Sequence, residues 1–211
     1  MISHRHKCIF IHIPKTGGAS VEHVIWPNKS DRTVENLWMG FVNKYENKYQ
    51  TGGLQHLTAN HIKMEVGEEI FKSYFKFSIV RNPWEKVISQ YVYMKSKRKD
   101  LRKYLGMSRY TSLKKYLHLI QKKKHVQWMS QSDFLLDSNG YILADKIIRF
   151  ENLNPESISI FNQLNIPNHQ LPHINKSERR HYTSYYNDLT KEMVADIYKK
   201  DIDLFKYTFE S

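Results

Sequence analysis

Cysteine and long apolar runs are scarce in this chain of 211 residues, and each shortage excludes a class of protein. Cys8 is the only cysteine, so neither an intrachain disulfide nor a cysteine-based zinc site can form. No stretch of about eighteen apolar residues occurs, which excludes a membrane-spanning helix. The residues His4 to Lys7 lead straight into an apolar run without a cleavage site, so we expect no signal peptide.

Acidic residues are the third shortage. The chain has 33 Lys and Arg against 21 Asp and Glu, a formal net charge of +12. This excess favours an anionic partner, either a nucleic acid or a charged cofactor with an acidic substrate. The length fits one domain with a sizeable core, and we predict a single domain over residues 1–211 with a basic helical insert at about 95–125.

The stretch Ile9 to Ser20, IFIHIPKTGGAS, organises the chain. Its apolar start is typical of a buried strand in a parallel sheet. Pro14 ends regular pairing, Gly17 and Gly18 permit a tight turn, and a helix is predicted to begin near Ser20. A strand, a glycine-containing loop and a helix N-terminus form an anion site. Five neighbouring residues complete the predicted phosphate or sulfate loop: Lys15 adds a positive charge, Thr16 and Ser20 add hydroxyls, and Gly18 and Ala19 add amides.

A second strand is predicted over Phe75 to Arg81, and a helix follows it. Asn82 is a suitable N-cap, Pro83 fits the first helical position, and Glu85 stands where a capping box places its carboxylate. Arg81 therefore lies at the carboxyl end of a strand, where open α/β sheets bind ligands. Its guanidinium can grip a phosphate, and Ser89, two turns along the helix, can donate a hydroxyl to the same group.

Two histidines, His56 and His61, are candidates for proton transfer. They lie five residues apart without a cysteine or a third ligand nearby, so we predict no metal site. The residues themselves leave open whether His56 is a catalytic base or a capping or exposed histidine.

The residues from 95 to 124 carry twelve basic side chains against Asp100 alone. They could form a basic wall for an acidic acceptor, or a solvated helical insert that turns apolar residues inward (Leu113, Tyr116, Leu117, Ile120). No helix-turn-helix, RNA-recognition or zinc-finger pattern accompanies them, so a nucleic-acid partner is not predicted.

Further elements follow from periodicity and turn residues. We predict a helix over 26–50, strands over 141–143 and 146–150, a helix over 155–164 and an amphipathic helical region over 188–205.

Two motifs resemble those of sulfotransferases that use 3′-phosphoadenosine-5′-phosphosulfate (PAPS). Lys15 precedes the glycines, unlike the G-x-x-x-x-G-K-[ST] loop of nucleoside triphosphatases, and PKTGG resembles the 5′-phosphosulfate loop of this family. RNPWEKVISQY resembles its 3′-phosphate motif, which Arg81, Pro83 and Ser89 match. The resemblance implies an α/β, P-loop-like three-layer fold with a central, mainly parallel β-sheet flanked by helices. It also implies that PAPS is the cofactor and PAP the product, that no metal is needed, and that Lys15 is catalytic.

Other roles come from the same resemblance. QHLTA resembles the stretch in which the uronyl 2-O-sulfotransferase branch keeps its catalytic histidine, which makes His56 the base and His61 the fallback. HINKS resembles the late loop that closes over the nucleotide, so Lys176 and Ser177 are assigned to its phosphates. Around the family-like FENL segment, three side chains have either an acceptor or a structural role: Gln131, Arg149 and Glu151.

The implied activity is sulfuryl transfer to a carbohydrate hydroxyl, and the basic charge suggests an acidic acceptor. The alternatives are a P-loop kinase or nucleotidase, and a basic nucleic-acid-binding protein. Animal members of the family are mostly anchored in the Golgi membrane. Without such an anchor, we expect either a cytoplasmic microbial enzyme, with peripheral membrane contact left open, or an excised domain.

Overall fold

The computed structural model describes residues 1–33, 35–37, 56–166, 171 and 179–210, which hold both strands and helices. The strands are β1 (Ile2–Ser3), β2 (Cys8–Ile11), β3 (Phe75–Val80) and β4 (Lys146–Arg149). The helices are α1 (Gly18–Ile25), α2 (Ala59–Ser73), α3 (Pro83–Lys97), α4 (Lys99–Leu105), α5 (Leu113–Lys122), α6 (Ser132–Leu135), α7 (Leu153–Gln163), α8 (Asp188–Ile197) and α9 (Lys199–Phe205).

The four strands form one sheet in the order β1-β2-β3-β4. The short β1 is antiparallel to β2, whereas β2, β3 and β4 are parallel. Phe10 pairs with Phe77, and Ile79 pairs with Ile148. The carboxyl ends of β2 and β3 therefore meet at one edge of the sheet, which brings the two predicted phosphate motifs together.

Helices cover both faces of this sheet. Phe10, Phe77 and Ile148 pack with residues of α1 and α7 on one face. Ile9, Ile11 and Val80 pack with α2, α6 and α9 on the other. The central strands are apolar toward both faces because both are buried, as parallel sheets require. The predicted three-layer α/β fold with a mainly parallel sheet is confirmed.

The basic segment folds as helices around a separate apolar cluster. Residues of α3, α4, α5 and α8 build this cluster, and it includes the four apolar residues that the helical-insert interpretation turned inward (Leu113, Tyr116, Leu117, Ile120). Arg102 is buried, and its guanidinium donates to the carbonyl oxygens of Met94 at 2.6 Å and Lys95 at 3.2 Å. It thereby satisfies carbonyls at the end of α3, where a cation also complements the helix dipole.

Two predicted elements are wrong where the structure describes them. Of the helix expected over 26–50, the described part holds only the short 3₁₀ turn Lys29–Asp31, and residues 34 and 38–50 lie outside the description. Polar side chains near that turn bond to the backbone instead, since Asp31 accepts from the N–H of Asn28 and Asn36 donates to the carbonyl of Asp31. Residues 141–143 form no strand beyond one bridge between Ile142 and Leu136.

The remaining element predictions agree with the structure apart from their ends. The strand over 146–150 is β4, the helix over 155–164 is α7, and the helical region over 188–205 is divided at Tyr198 into α8 and α9.

Candidate functional site

The loop between β2 and α1 is held in shape by its own residues. Lys15 and Gly17 have φ angles of 69° and 83°, in the left-handed region. The hydroxyl of Thr16, which is fully buried, donates to the carbonyl of Ile13 at 2.9 Å. This hydroxyl therefore stabilises the turn. The helix begins at Gly18, two residues before the predicted start, and its N-cap Gly17 makes no side-chain cap.

Gly17 and Gly18 allow close packing around the loop. A Cβ on Gly17 would lie 2.9 Å from the ring of Phe150, and one on Gly18 would lie 2.4 Å from the ring of His12. Neither position has room for a side chain. The first N–H groups of α1 have no acidic side chain in that turn, so they form a positively polarised end that suits an anion.

Arg81 connects the two motifs. One terminal nitrogen donates to the carbonyl of Lys15 at 2.9 Å, and the other donates to Glu85 at 2.7 Å. The guanidinium carbon lies 3.7 Å from the ring centroid of Phe150. Arg81 is 7% exposed, and within the described part of the chain its buried Nε has no hydrogen-bond partner. The side chain is thus fixed beside the loop, and its Nε–H is left without a hydrogen bond to the described residues.

Gln131 fixes the backbone of Arg81. Its Oε1 accepts from the N–H of Arg81, and its Nε2 donates to the carbonyl of Arg81, both at 2.8 Å. The N–H of Gln131 donates in turn to the buried Asp201 at 2.7 Å. The side-chain amide of Gln131 thus pairs with the backbone at the end of β3 as a neighbouring strand would. Gln131 is also fully buried, so its role in this structure is structural.

Arg149 and Glu151 also have structural roles. Arg149 donates to the carbonyl of Phe205 at 2.6 Å and lies over the ring of Tyr207. Glu151 accepts from the N–H of Asn82 at 2.7 Å and from the hydroxyl of Tyr207 at 3.0 Å. Both side chains join β4 and the turn after it to neighbouring segments.

The start of α3 confirms the predicted cap but corrects the capping box. The Asn82 side chain accepts from the N–H of Trp84, and Pro83 begins the helix. The carboxylate of Glu85 does not return to the cap; it accepts from Arg81 and, at 3.1 Å, from Arg179. Burial opposes its ionisation, but the hydrogen bond and charge of Arg81, with the charge of Arg179, hold the pKa of Glu85 below its usual value. Charge-assisted bonds to two guanidiniums outcompete the backbone N–H.

Arg179 is a site residue that the sequence analysis missed. It belongs to the basic pair Arg179-Arg180, close after the late loop, which is its only signal in the sequence. Through Glu85, it lies beside Arg81, although 94 residues separate Arg179 from Glu85.

The ammonium of Lys15 lies 4.0 Å from the ring centroid of Tyr93, a residue of α3. Burial and the charges of four surrounding cations lower the pKa of Lys15 to about 8; they are Arg81, Arg179, Arg98 and Lys97. Ser89 is half-buried on α3, one turn before Tyr93. The loop lysine therefore stands in a concentrated positive field, the environment that an anionic group would neutralise.

His56 lies against the end of β2. It is 5% exposed, and its Nδ1 lies 3.2 Å from the carbonyl oxygen of His12. Because a carbonyl only accepts, Nδ1 carries the hydrogen and Nε2 keeps its lone pair. Burial, and then the neighbouring His12, hold the pKa of His56 well below 6.5. The ring is therefore neutral at pH 7, with one nitrogen ready to accept a proton.

His61 has a different setting. Thr58 caps α2 and accepts from the N–H of His61 at 3.2 Å, while Nδ1 of His61 lies 2.9 Å from the hydroxyl of Thr58. The structure thus places His56 beside the strand that leads into the loop, and His61 in the first turn of α2.

A buried pair beneath the loop was also missed. Nδ1 of His12 lies 2.6 Å from Oε1 of Glu22, and both residues are at least 93% buried. The His12 ring stacks on Phe10 and meets His56 edge-on at 4.8 Å between centroids. A histidine in an otherwise apolar strand was the available signal. Within this pair, the His12 ring packs against Gly18 and against the ring of His56.

Lys176 and Ser177 lie outside the described residues. Within the described ranges, no group of three or more metal-ligating side chains occurs, and no helix there is long and apolar enough to cross a bilayer.

Comparisons with known proteins agree with the geometry. Searches among curated proteins and among solved structures gave no match. The model of the sulfotransferase family matches residues 1–208, a range that includes the loop, Arg81, His56 and Arg179. This chain therefore belongs to the sulfotransferase family.

Proposed function

We propose that this sulfotransferase moves the sulfuryl group of PAPS to a hydroxyl of an acceptor by in-line transfer, with His56 as general base. The observation that carries the proposal is the convergence of Lys15, Arg81 and Arg179 at the N-terminus of α1. Two of these cations come from different motifs and the third from the late part of the chain. A polyanionic nucleotide would offset their mutual repulsion.

The residues present fit such a cofactor. The first turn of α1 carries no acidic side chain beside its N–H groups, and the Nε–H of Arg81 has no hydrogen-bond partner among the described residues. In the proposal, Lys15 and the amides of residues 16–20 hold the 5′-phosphosulfate. Arg81 and Ser89 hold the 3′-phosphate, which distinguishes PAPS from ATP. Lys176 and Ser177 are proposed to contact the nucleotide phosphates.

Lys15 is proposed to stabilise charge in the transition state. PAPS, when bound, supplies the sulfuryl group and a phosphate leaving group. The protonated ammonium of Lys15 stabilises the negative charge that grows on the bridging oxygen, as fixed cations do in phosphoryl transfer. No metal is required, because Lys15 and Arg81 provide the positive charge. The pKa of about 8 for Lys15 keeps most of the side chain protonated at pH 7.

His56 is proposed to accept the acceptor's proton at Nε2. Its Nδ1–H, donated to the His12 carbonyl, fixes the tautomer in which Nε2 is free. The low pKa of His56 keeps this base available throughout the neutral range, although it makes the base weaker. Glu22 and His12 hold the supporting strand end in place.

We further propose that the acceptor is a carbohydrate, with acidic groups that would suit the net charge of +12. The 211 residues are proposed to form one sulfotransferase domain.

Calorimetric titration with PAP, ADP and ATP tests the cofactor. We expect tight binding of PAP and weak binding of ADP, which lacks the 3′-phosphate. Arg81→Ala should weaken PAP binding by roughly 10²-fold, because it removes a charge-assisted contact worth about 1.5–3 kcal/mol. Lys114→Ala is the matched control, an exposed cation on α5, and should bind as the parent does. Equal affinity for PAP and ADP, or Mg²⁺-dependent ATP turnover, would favour a kinase or nucleotidase instead.

The paired variants His56→Ala and His61→Ala test the base. We expect kcat to fall by about 10²- to 10⁴-fold in the first and to change by only a few-fold in the second. Full turnover by His56→Ala at saturating acceptor would remove His56 from the mechanism.

A further inference from the structure

One face of α3 runs past the loop. Arg81 and Glu85 are four residues apart, and Ser89, Tyr93 and Lys97 continue the same spacing. Residues four apart lie above one another on a helix. The face that carries Arg81's carboxylate partner therefore also carries Tyr93, one turn beyond Ser89.

Tyr93 contacts cations from two directions. The ammonium of Lys15 lies 4.0 Å from its ring centroid, and the guanidinium carbon of Arg98 lies 5.9 Å away. Tyr93 thus stands between the loop and the start of the basic helices.

The surroundings of Lys15 otherwise disfavour its charge. Arg81 reaches it from the end of β3, Lys97 and Arg98 from the end of α3, and Arg179 from the late segment, while Glu85 is bonded to two of these arginines. The π face of an aromatic ring attracts an ammonium, and more strongly where water is excluded. Tyr93 is therefore the contact on this side that favours the protonated form.

We propose that Tyr93 is a positioning residue that holds the protonated side chain of Lys15 on its ring face, beside the N-terminus of α1. The catalytic meaning of this contact rests on the proposed function of Lys15, but the contact itself does not. The ring keeps the charge present and directed within a cluster of like charges.

Competitive acetylation of the purified protein across pH, read by mass spectrometry, measures the pKa of Lys15 directly. The exposed Lys114 provides an internal reference. Tyr93→Phe keeps the ring and loses only the hydroxyl, so the pKa of Lys15 should stay near that of the parent. Tyr93→Leu removes the ring, and the pKa of Lys15 should fall by about 0.5–1 unit.

A second series preserves the shape of the ring. Phenylalanine with one, two or three fluorine atoms at position 93 weakens the negative π face stepwise with little change in volume. We expect the pKa of Lys15 to fall along the series. The proposal is overturned if this pKa stays constant along the series, and that result is obtainable even where Tyr93→Leu fails to fold.

The labelling needs no nucleotide, so the two proposals can fail separately. Absence of PAP binding by the parent protein would count against the cofactor, whereas a constant Lys15 pKa would count against Tyr93. In assays, the alkaline fall of kcat/KM should move to lower pH in Tyr93→Leu and stay in place in Tyr93→Phe.

Discussion

Two regions of this molecule are rich in cations, but the regions differ in where along the chain the cations come from and in how exposed they are. The Lys15 cluster (Lys15, Arg81, Arg179) has three cations drawn from distant parts of the chain. The basic segment (residues 95–124) has twelve cations in thirty consecutive positions, and nine of them are exposed. The three cations of the Lys15 cluster are all at least partly buried and lie close together, whereas most cations of the basic segment face water.

The difference shows that convergence and burial make a site, rather than the number of charges. Exposed charges are screened within about 8–10 Å at ordinary salt concentrations, whereas partly buried ones interact strongly. The pKa of Lys15 reports that interaction. In the basic segment, several cations make structural contacts instead. Arg102 donates to a carbonyl near the end of α3. Arg98 pairs with Asp100, and Lys123 donates to the carbonyl of Tyr104.

Among these variants, Lys15→Ala should lower turnover the most. We expect kcat to fall by about 10²- to 10³-fold, because a preorganised charge at the reacting group is lost. Turnover measured at saturating PAPS and acceptor tests this, with Lys114→Ala as the control for loss of one positive charge. Similar losses in both variants would mean that net charge, rather than position, determines the rate.

Gly18→Ala tests the geometry of the loop without changing any charge. The new Cβ would lie 2.4 Å from the His12 ring, so the loop or the ring must move, and misplacement by about 1 Å can cost roughly 10²-fold in rate. We expect a loss of PAP affinity and of kcat/KM together. Gly140→Ala adds a Cβ with no atom within 4 Å and is the control for a methyl group without a clash. Its φ of 85° adds backbone strain that Gly18, a residue of α1, does not have.

The pH profile of kcat/KM tests whether the shifted pKa values of Lys15 and His56 determine the activity. The proposed mechanism needs Lys15 protonated, and its pKa is about 8, so kcat/KM should fall about tenfold per pH unit above that value. The proposed mechanism needs His56 unprotonated, and its pKa lies well below 6.5, so the acid limb should begin well below 6.5. An acid limb centred near 6.5 that is unchanged in His61→Ala would indicate a solvated base and contradict the burial of His56.

The smallest effect is expected in the basic segment. The triple variant Lys114→Gln, Lys115→Gln, Lys122→Gln changes three exposed residues of α5. Its PAP affinity should stay within about threefold of the parent, and the free energy of unfolding within about 0.5 kcal/mol per site. Calorimetry and denaturant unfolding measure both. A large loss of PAP affinity would extend the cofactor site onto α5.

Local signals in the sequence predicted the two strand-to-helix junctions well. Proline, the glycine pair and the Asn-Pro cap act within a few residues of their positions, so a pattern suffices. The network around Arg81 could not be predicted in this way, because Gln131 and Arg81 are 50 residues apart. Glu85 shows the limit most clearly. The local rule assigns it to a capping box, but its carboxylate bonds to Arg81, one turn before it, and to Arg179, which the fold brings from 94 residues away.

His56 illustrates a third case. Its residue type favoured a capping or exposed histidine over a catalytic base, and a family resemblance singled it out as the base. Burial and the bond to the His12 carbonyl supply what the pattern lacked, namely a fixed tautomer and a lowered pKa. The carbonyl belongs to His12, which follows β2 and lies 44 residues earlier in the chain, so no spacing rule could have indicated it.

The left-handed backbone of Lys15 has a consequence for the evolution of the loop. A φ of 69° suits glycine and disfavours lysine by about 1–2 kcal/mol. Lys15→Gly would relieve this strain and remove the ammonium, whereas Lys15→Ala would remove the ammonium alone. In the proposed mechanism, selection for a robust fold and selection for turnover therefore act in opposite directions at this one position.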